Sequence, residues 1–559
     1  MEPKTEEPLH VERVRPNDDE DDDDGDAASD QSYEWNLDVC LNLAGPYLTN
    51  FSATWQMIAL PMSLAFINEA FPTETHRTAW VASVTGLCQC VICFFVGELS
   101  DILGRRWFII SACVSMSVGG FIAGRATSVD MIIGGQVIAG IGGGIAFLAN
   151  PAAAEMVPKH SRSIALSALE VLNGVVSIGC ALSTGAFTQY NVGGPRDGWR
   201  AAVYIGVGIS CVGALVNLFF YQPGHRPNPE GLTNKGRLLK IDWIGILIGT
   251  AGLVLLLLGL DFGGNPDPWD SPKVLCTLLI GIALMGVFVV WEVFFTTFGM
   301  FPRPIFRHRN IPIYLAIQFA EGMALNTGIS FMPQEMVTLF TTHALLAQVR
   351  NLPFGSFSLV GAAIFAVIMY RTRETKWVLI SGVCFGMLTG GLMSALKHTS
   401  NYASWFFPSM FLGLSSVAVS IGIMIAATLC TPNEFIATTI SLTTSIRSLG
   451  AAVGVVVFSQ ILQYRLKTGL PHQVAQRCVP LGLPPTSIPQ LLEASVTGNE
   501  TLLFQVPGDD TGNCRGIRRR RQGGVHRWVQ VWLVCGARVH GSFPCPFGLP
   551  SAHQATHNR

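Results

Sequence analysis

The chain has 559 residues, of which 49% are hydrophobic and only 13% charged, with a formal net charge of −1. That charged share is about half the usual globular figure, and with a mean hydropathy of +0.41 it excludes an ordinary soluble domain. The near-zero net charge hides segregation, because the acidic run NDDEDDDDGD (17–26) sits in a polar N-terminal segment, 1–43, that is expected to be disordered and cytosolic. No basic stretch with a short apolar core precedes it, so no cleaved signal peptide is expected. The 14 cysteines are scattered, many inside apolar runs (Cys88, Cys90, Cys93, Cys113, Cys180, Cys211), without the spacing of a disulfide framework or a zinc site.

From residue 44 onward the chain reads as thirteen predicted spans: 44–67, 79–98, 107–124, 131–150, 164–188, 199–220, 242–261, 274–298, 311–333, 353–370, 377–396, 404–429 and 436–464. Such runs approach or exceed the length needed to cross roughly 30 Å of hydrocarbon as a helix. The second and third are separated only by GELSDILGRR (97–106), whose Glu98, Asp101, Arg105 and Arg106 make it a short polar loop. Cations concentrate in alternate loops, with Arg105, Arg106, Lys159, Arg162, Arg226, Lys235, Arg237, Lys240, Arg303, Arg307, Arg309, Arg371, Arg373 and Lys376 in one set. The other set has only Arg77, Arg125, Arg196, Arg200, Lys273, Arg350 and Lys397. This asymmetry predicts that the first set and the N-terminus face the cytosol.

The segment YRTRETKW (370–377) occupies the same place among the later spans as SDILGRRW (100–107) does among the earlier ones. Two halves follow: a six-helix N-terminal half over 44–220 and a C-terminal half over 311–465 with five recognisable helices. Between them, 221–310 holds a cytosolic loop and two extra helices. Paired halves around a central site are a recurring transporter architecture.

GELSDILGRR is similar to the signature loop of the major facilitator superfamily, G-x-L-x-D-x-x-G-R-[RK], with Gly97, Leu99, Asp101, Gly104, Arg105 and Arg106 on the matching positions. The resemblance implies two six-helix halves that alternate in access, with the Asp101 carboxylate set against a helix end and an arginine across the domain interface, latching the outward-open state. LLLLGLDFGGNPDPWDSP (255–272), with Gly259, Gly263, Gly264 and Trp269, resembles the loop after the seventh span of fourteen-span members. LPFG (352–355) and SIRSLGAAVG (445–454) resemble their second half. The chain thus resembles the branch that includes fungal trichothecene efflux pumps and siderophore-iron transporters.

Departures from the drug/proton antiporter pattern bear on mechanism. Ser52 stands where that pattern has an aspartate in the first span, Gln136 where it has a proton-linked arginine in the fourth, and Cys180 where it has a proline in the fifth. Coupling therefore falls to ionisable groups at membrane depth, which are functional candidates because they are costly in hydrocarbon. Glu170, near Asn173 in the fifth span, and Glu321, beside Gln318 and Asn326 in the ninth, are the two candidates. Each is open to a cavity-facing role or a structural interhelical hydrogen bond. Asp261 and Glu292 lie near predicted span ends, where headgroups would solvate them. Arg447, in the SIRSLG segment, is expected to stabilise packing. Trp55, Gln56, Asn173, Gln136 and Gln318 are candidates to line a cavity for an amphipathic molecule. The run GIGGG (140–144) follows no strand and sits inside an apolar span, so it is expected to let helices approach closely.

After residue 465 a fourteen-span chain needs one more helix, yet 515–559 offers only the short WVQVWLVCGARV, broken by Arg538. GIRRRRQGGVHR can be encoded so that a one-nucleotide shift reads EYAAAVREVFIG, the start of a plausible helix. A frame change near residue 515 is therefore expected, with 466–559 forming an external loop and an aberrant tail. The sequon at Asn499 (Asn-Glu-Thr) is a glycosylation candidate on the external side.

The expectation is an all-α polytopic transporter of the major facilitator fold, not an enzyme. It needs no cofactor and no metal, and no nucleic acid is expected as a partner. It is expected to be a monomer in the lipid bilayer, at the plasma membrane rather than the vacuole. It would export a small amphipathic compound, with protons as the candidate coupling ion. Uptake of a siderophore-iron chelate and a transport-inactive product are the alternatives.

Overall fold

The computed structural model describes residues 37–478 apart from several connecting segments, of which 223–240 is the longest. Among the described residues thirteen long helices follow one another: α1 Leu37–Ala70, α2 Thr78–Leu103, α3 Arg105–Gly124, α4 Val129–Ala146, α5 Arg162–Gln189, α6 Gly198–Phe219, α7 Trp243–Phe262, α8 Pro272–Val290, α9 Asn310–Leu339, α10 Ala344–Thr372, α11 Lys376–Ala395, α12 Tyr402–Leu429 and α13 Ile436–Cys478. Among the described residues, ten helices are long and apolar enough to cross a membrane by length and composition. Residues 1–36 of the expected N-terminal tail, most of the loop 221–242, the sequon at Asn499 and the frame change near 515 lie outside the described residues, whereas 37–43, expected in the tail, begin α1 and 466–478, expected in an external loop, continue α13.

Three helix starts, those of α4, α7 and α8, carry side-chain caps. The Ser128 hydroxyl accepts from the Met131 amide, Asp242 from Gly245 and Ser271 from Val274, each satisfying an amide that the first turn leaves open. Interiors tolerate proline (Pro46 and Pro61 in α1, Pro333 in α9, Pro353 in α10, Pro408 in α12), because neighbouring helices can satisfy the backbone groups it frees. This accounts for two boundary differences: α10 begins at Ala344 rather than 353, and α9 continues past Pro333 to Leu339.

The N-terminal half packs α1 against α5 and α6, α2 against α4, and α3 against α4 and α6. The GIGGG run supports this layering: a Cβ at Gly142 would meet the Ala112 carbonyl oxygen of α3 at 2.6 Å, and one at Gly140 would meet Thr85 and Cys88 of α2. Asn217 of α6 donates to the Gly45 carbonyl at 3.1 Å and to Thr49 at 2.9 Å, joining α6 to α1 by polar contacts that apolar surroundings keep out of competition with water. In the C-terminal half α9 packs on α13, and α12 on α10 and α11.

The halves meet along two antiparallel pairs, α5 with α10 and α2 with α13. The extra pair α7–α8 lies outside this body, where Leu253 and Leu257 pack with Leu87 and Cys90 of α2 and Ala452 of α13. Its outer face leaves Leu247 71% and Leu279 60% exposed, as a lipid-facing surface requires. Asp261, expected to be solvated at a span end, instead accepts a hydrogen bond from Ser83 of α2 at 3.4 Å and is partly buried. The α7 helix packs closely enough on α2 for the two side chains to meet.

The loop between α2 and α3 shrinks to one residue. Helix α2 runs through GELSDIL to Leu103, and Gly104, at φ +93°, ends it and starts α3. That conformation is costly for a residue with a Cβ, so Gly104→Ala is expected to lower stability by about 1 kcal/mol or more. Thermal unfolding of the detergent-solubilised chain measures this.

Candidate functional site

The site is built on five helices and brings Glu170, Glu321 and Arg447 together. Glu170 of α5 and Glu321 of α9 lie eight and eleven residues from their helix starts, roughly 12 and 17 Å along the axis at the α-helical rise. Arg447 of α13 pairs with Glu321, donating from Nη2 to Oε1 at 3.0 Å while its Nε lies 2.8 Å from Oε2. A hydrogen bond between ionised groups is stronger than one between neutral groups. Glu321 is 8% exposed, so the pair is held largely away from solvent. Arg447, expected to serve packing, is thus the cation of the site.

Arg447 also donates from Nη1 to the Ser420 hydroxyl of α12 at 3.2 Å, and that hydroxyl donates to Glu170 Oε1 at 2.7 Å. The other Glu170 oxygen accepts from Asn173 Nδ2 at 3.3 Å. Asn173 Oδ1 in turn accepts from Asn50 Nδ2 and Thr54 Oγ1 of α1, both at 2.8 Å. A continuous polar relay therefore runs from α1 through α5 to α12, α13 and α9, crossing between the halves at the Glu170–Ser420 bond. A cleft beside the crossing is lined by Glu170, Gln318, Ser420 and Arg447 together with Phe147, Asn150 and Met424.

Other sequence candidates lie elsewhere. Trp55 is 5% exposed, donates from Nε1 to the Ala202 carbonyl at 2.9 Å and stacks on Phe51. It packs with Val176 and Cys180 as part of the core between α1, α5 and α6, which corrects its placement on a cavity wall. Gln136, 1% exposed, is buried in α4 and is not among the residues lining the cleft. Gln56 donates weakly to the Met116 carbonyl at 3.4 Å. Ser52 shares a hydrogen bond with the Ser210 hydroxyl of α6. Glu292 lies in a π-helical turn, Trp291–Phe295, that ends α8.

In the signature segment Gly97 faces the opposite half, where a Cβ would meet the Ser441 hydroxyl of α13 at 2.6 Å. Asp101 lies in the last turn of α2, and its side chain is outside the described residues. Arg105, 2% exposed, pairs with Glu155 at 2.7 Å, and Arg106 donates to the Leu218 carbonyl at 2.7 Å. These contacts tie the loop to the end of α6 and to the short helix Ala149–Glu155 that follows α4.

Sequence reasoning missed Ser420, Asn50 and Thr54. Hydroxyl and amide residues recur along these apolar helices, so only the spacing of Asn50 and Thr54, one turn apart on one face, offered a signal. Nothing in the sequence around Ser420 singles it out.

The family model of the fungal trichothecene efflux pump matches residues 38–518. An MFS-type transporter of an Acremonium species, ucsD, is 29% identical over 400 residues, covering 69% of this chain and 65% of that protein. The chain thus spans just under two thirds of that relative's length. The trichothecene efflux pump of Trichoderma arundinaceum is 27% identical over 458 residues, covering 78% of this chain and 71% of that pump. Among solved structures, the major facilitator proton:xylose symporter XylE superposes with a TM-score of 0.52 at 14% identity, covering 78% of this chain and 90% of that one.

Proposed function

The chain belongs to the fungal trichothecene efflux pump family, within the major facilitator superfamily, and from that premise we propose that it exports a small amphipathic metabolite or toxin by alternating access. The observation that carries this reading is the Glu170–Ser420 hydrogen bond, through which a partly buried polar relay crosses between the halves. Rocking of one half against the other moves α5 relative to α12, so that bond must break and re-form in each cycle. Protons are the proposed driving ion, exchanged at Glu170 and Glu321, since the antiporter residues expected at positions 52, 136 and 180 are replaced. A bound substrate drives net movement only through its different affinity for the two states. Asp101 is proposed to latch one state, with the N-terminus in the cytosol and a monomer at the plasma membrane as the working form.

The test is accumulation of labelled toxins, azoles and ferric siderophores in cells expressing the chain or its Asp101→Asn variant, with and without a protonophore. Lower accumulation of at least one toxin, abolished by the variant and by the protonophore, is the expected result. Raised accumulation of a ferric chelate would instead mean uptake. The frame change proposed near residue 515 is tested by sequencing the transcript, where an uninterrupted frame matching residues 515–559 would exclude it.

A further inference from the structure

The relay holds two carboxylates and one cation, and that cation contacts only Glu321 directly, reaching Glu170 through the Ser420 hydroxyl. Both guanidinium nitrogens that come within reach of a carboxylate lie against Glu321, at 2.8 and 3.0 Å. Glu170 accepts hydrogen bonds from Ser420 and Asn173, both neutral donors. Beside it, Gln318 is 4% exposed, and its Oε1 is buried with no hydrogen-bond partner while the residue lines the same cleft. Burying an acceptor unpaired is unfavourable, so an unpartnered carbonyl beside a carboxylate with no direct cation contact defines a place for a donor that also carries positive charge.

A protonated amine has both properties, with a charge for Glu170 and more than one N–H to share with Gln318. In this arrangement the cleft admits a group the size of an ammonium, and Phe147, Ile423 and Met424 on its walls would meet the body of such a molecule as the halves part. Resting on the export reading above, we infer that the cleft between Glu170 and Gln318 is a recognition site for the ammonium group of an amphipathic amine. In an exporter driven by protons, amine and proton then compete for one carboxylate. Because an ion pair at Glu170 weakens the Ser420 bond between the halves, loading the cleft also frees the relay to open.

The test uses the purified full chain in lipid nanodiscs and dansylcadaverine, a fluorescent primary amine, beside its neutral N-acetylated form. Dansyl fluorescence should report saturable binding of the amine at least about tenfold tighter than of the acetylated compound, the scale of a hydrogen bond to a charged group. Glu170→Gln should remove most of that preference, Glu170→Asp should retain part of it, and Gln318→Leu should weaken the amine several-fold, all in monodisperse protein. If Glu170→Gln does not fold, Gln318→Leu decides by itself. Equal binding of the two compounds, no binding of the amine, or an unaffected Gln318→Leu variant overturns the inference. Binding on purified protein needs no transport, so a chain that binds the amine yet exports nothing refutes the export reading alone. Export of neutral toxins without amine binding refutes this inference alone.

Discussion

Arg447→Met is expected to lower folding stability by about 3 kcal/mol or more, the scale for breaking a buried ion pair by removing one partner. Methionine fills much of the arginine volume but supplies neither the charge nor the donors at 2.8 and 3.0 Å that Glu321 has in the native protein. The paired change Arg447→Met with Glu321→Leu removes both charges, and an apolar pair of similar volume in such a setting is often neutral or better. The double variant should therefore recover most of the lost stability yet fail to transport. Thermal unfolding of the solubilised chain, followed by size exclusion, completes the double-mutant cycle. Additive losses in the cycle would mean that the two side chains do not act as a pair.

Gly322→Val and Gly450→Val should each disrupt the same pair without touching either charge. A Cβ at Gly322 would collide with the Arg447 carbonyl oxygen, and one at Gly450 with that of Phe319. Both obstacles are backbone, so α9 and α13 must separate along the seam that holds Glu321 against Arg447. Overpacking of this kind costs about 1–3 kcal/mol, and these sites belong at the upper end because no flexible side chain can give way. Gly390→Ala in α11 is the control, since a Cβ there meets nothing within 4 Å and should be neutral or slightly stabilising by helix propensity. Melting temperatures of the three variants test this ordering, and equal effects at all three positions would contradict it.

Much of the fold was legible because a bilayer permits few solutions. Apolar runs interrupted by charged loops located the spans, and the GELSDILGRR segment pointed to the superfamily from the last two turns of α2, one glycine turn and the two arginines that begin α3. Span ends were less legible: Pro353 reads as a start and Pro333 as an approach to an end, yet both lie inside helices where neighbours compensate for them. For the site, Glu170, Asn173, Gln318 and Glu321 were visible because such groups are expensive at membrane depth. Their grouping was not, because which face of each helix turns inward depends on packing between halves that lie far apart in sequence. The same ignorance put Trp55 on a cavity wall, although its ring is buried among Val176, Cys180 and its neighbours. Arg447 read as structural because nothing in its own segment shows the two carboxylates that the fold brings toward it.

The central claim is that the halves rock about the relay and that the Glu170–Ser420 bond holds one arrangement. Trp107 and Trp377 begin α3 and α11 at the same end of the two halves, and they are 68% and 65% exposed, so both accept a label with little disturbance. Dyes on noncanonical amino acids at 107 and 377 of the full chain in nanodiscs report the separation by single-molecule energy transfer. The expected result is two exchanging separations whose ratio shifts markedly in Glu170→Gln and Ser420→Ala. One fixed separation, the same in the native chain and both variants, would contradict the account.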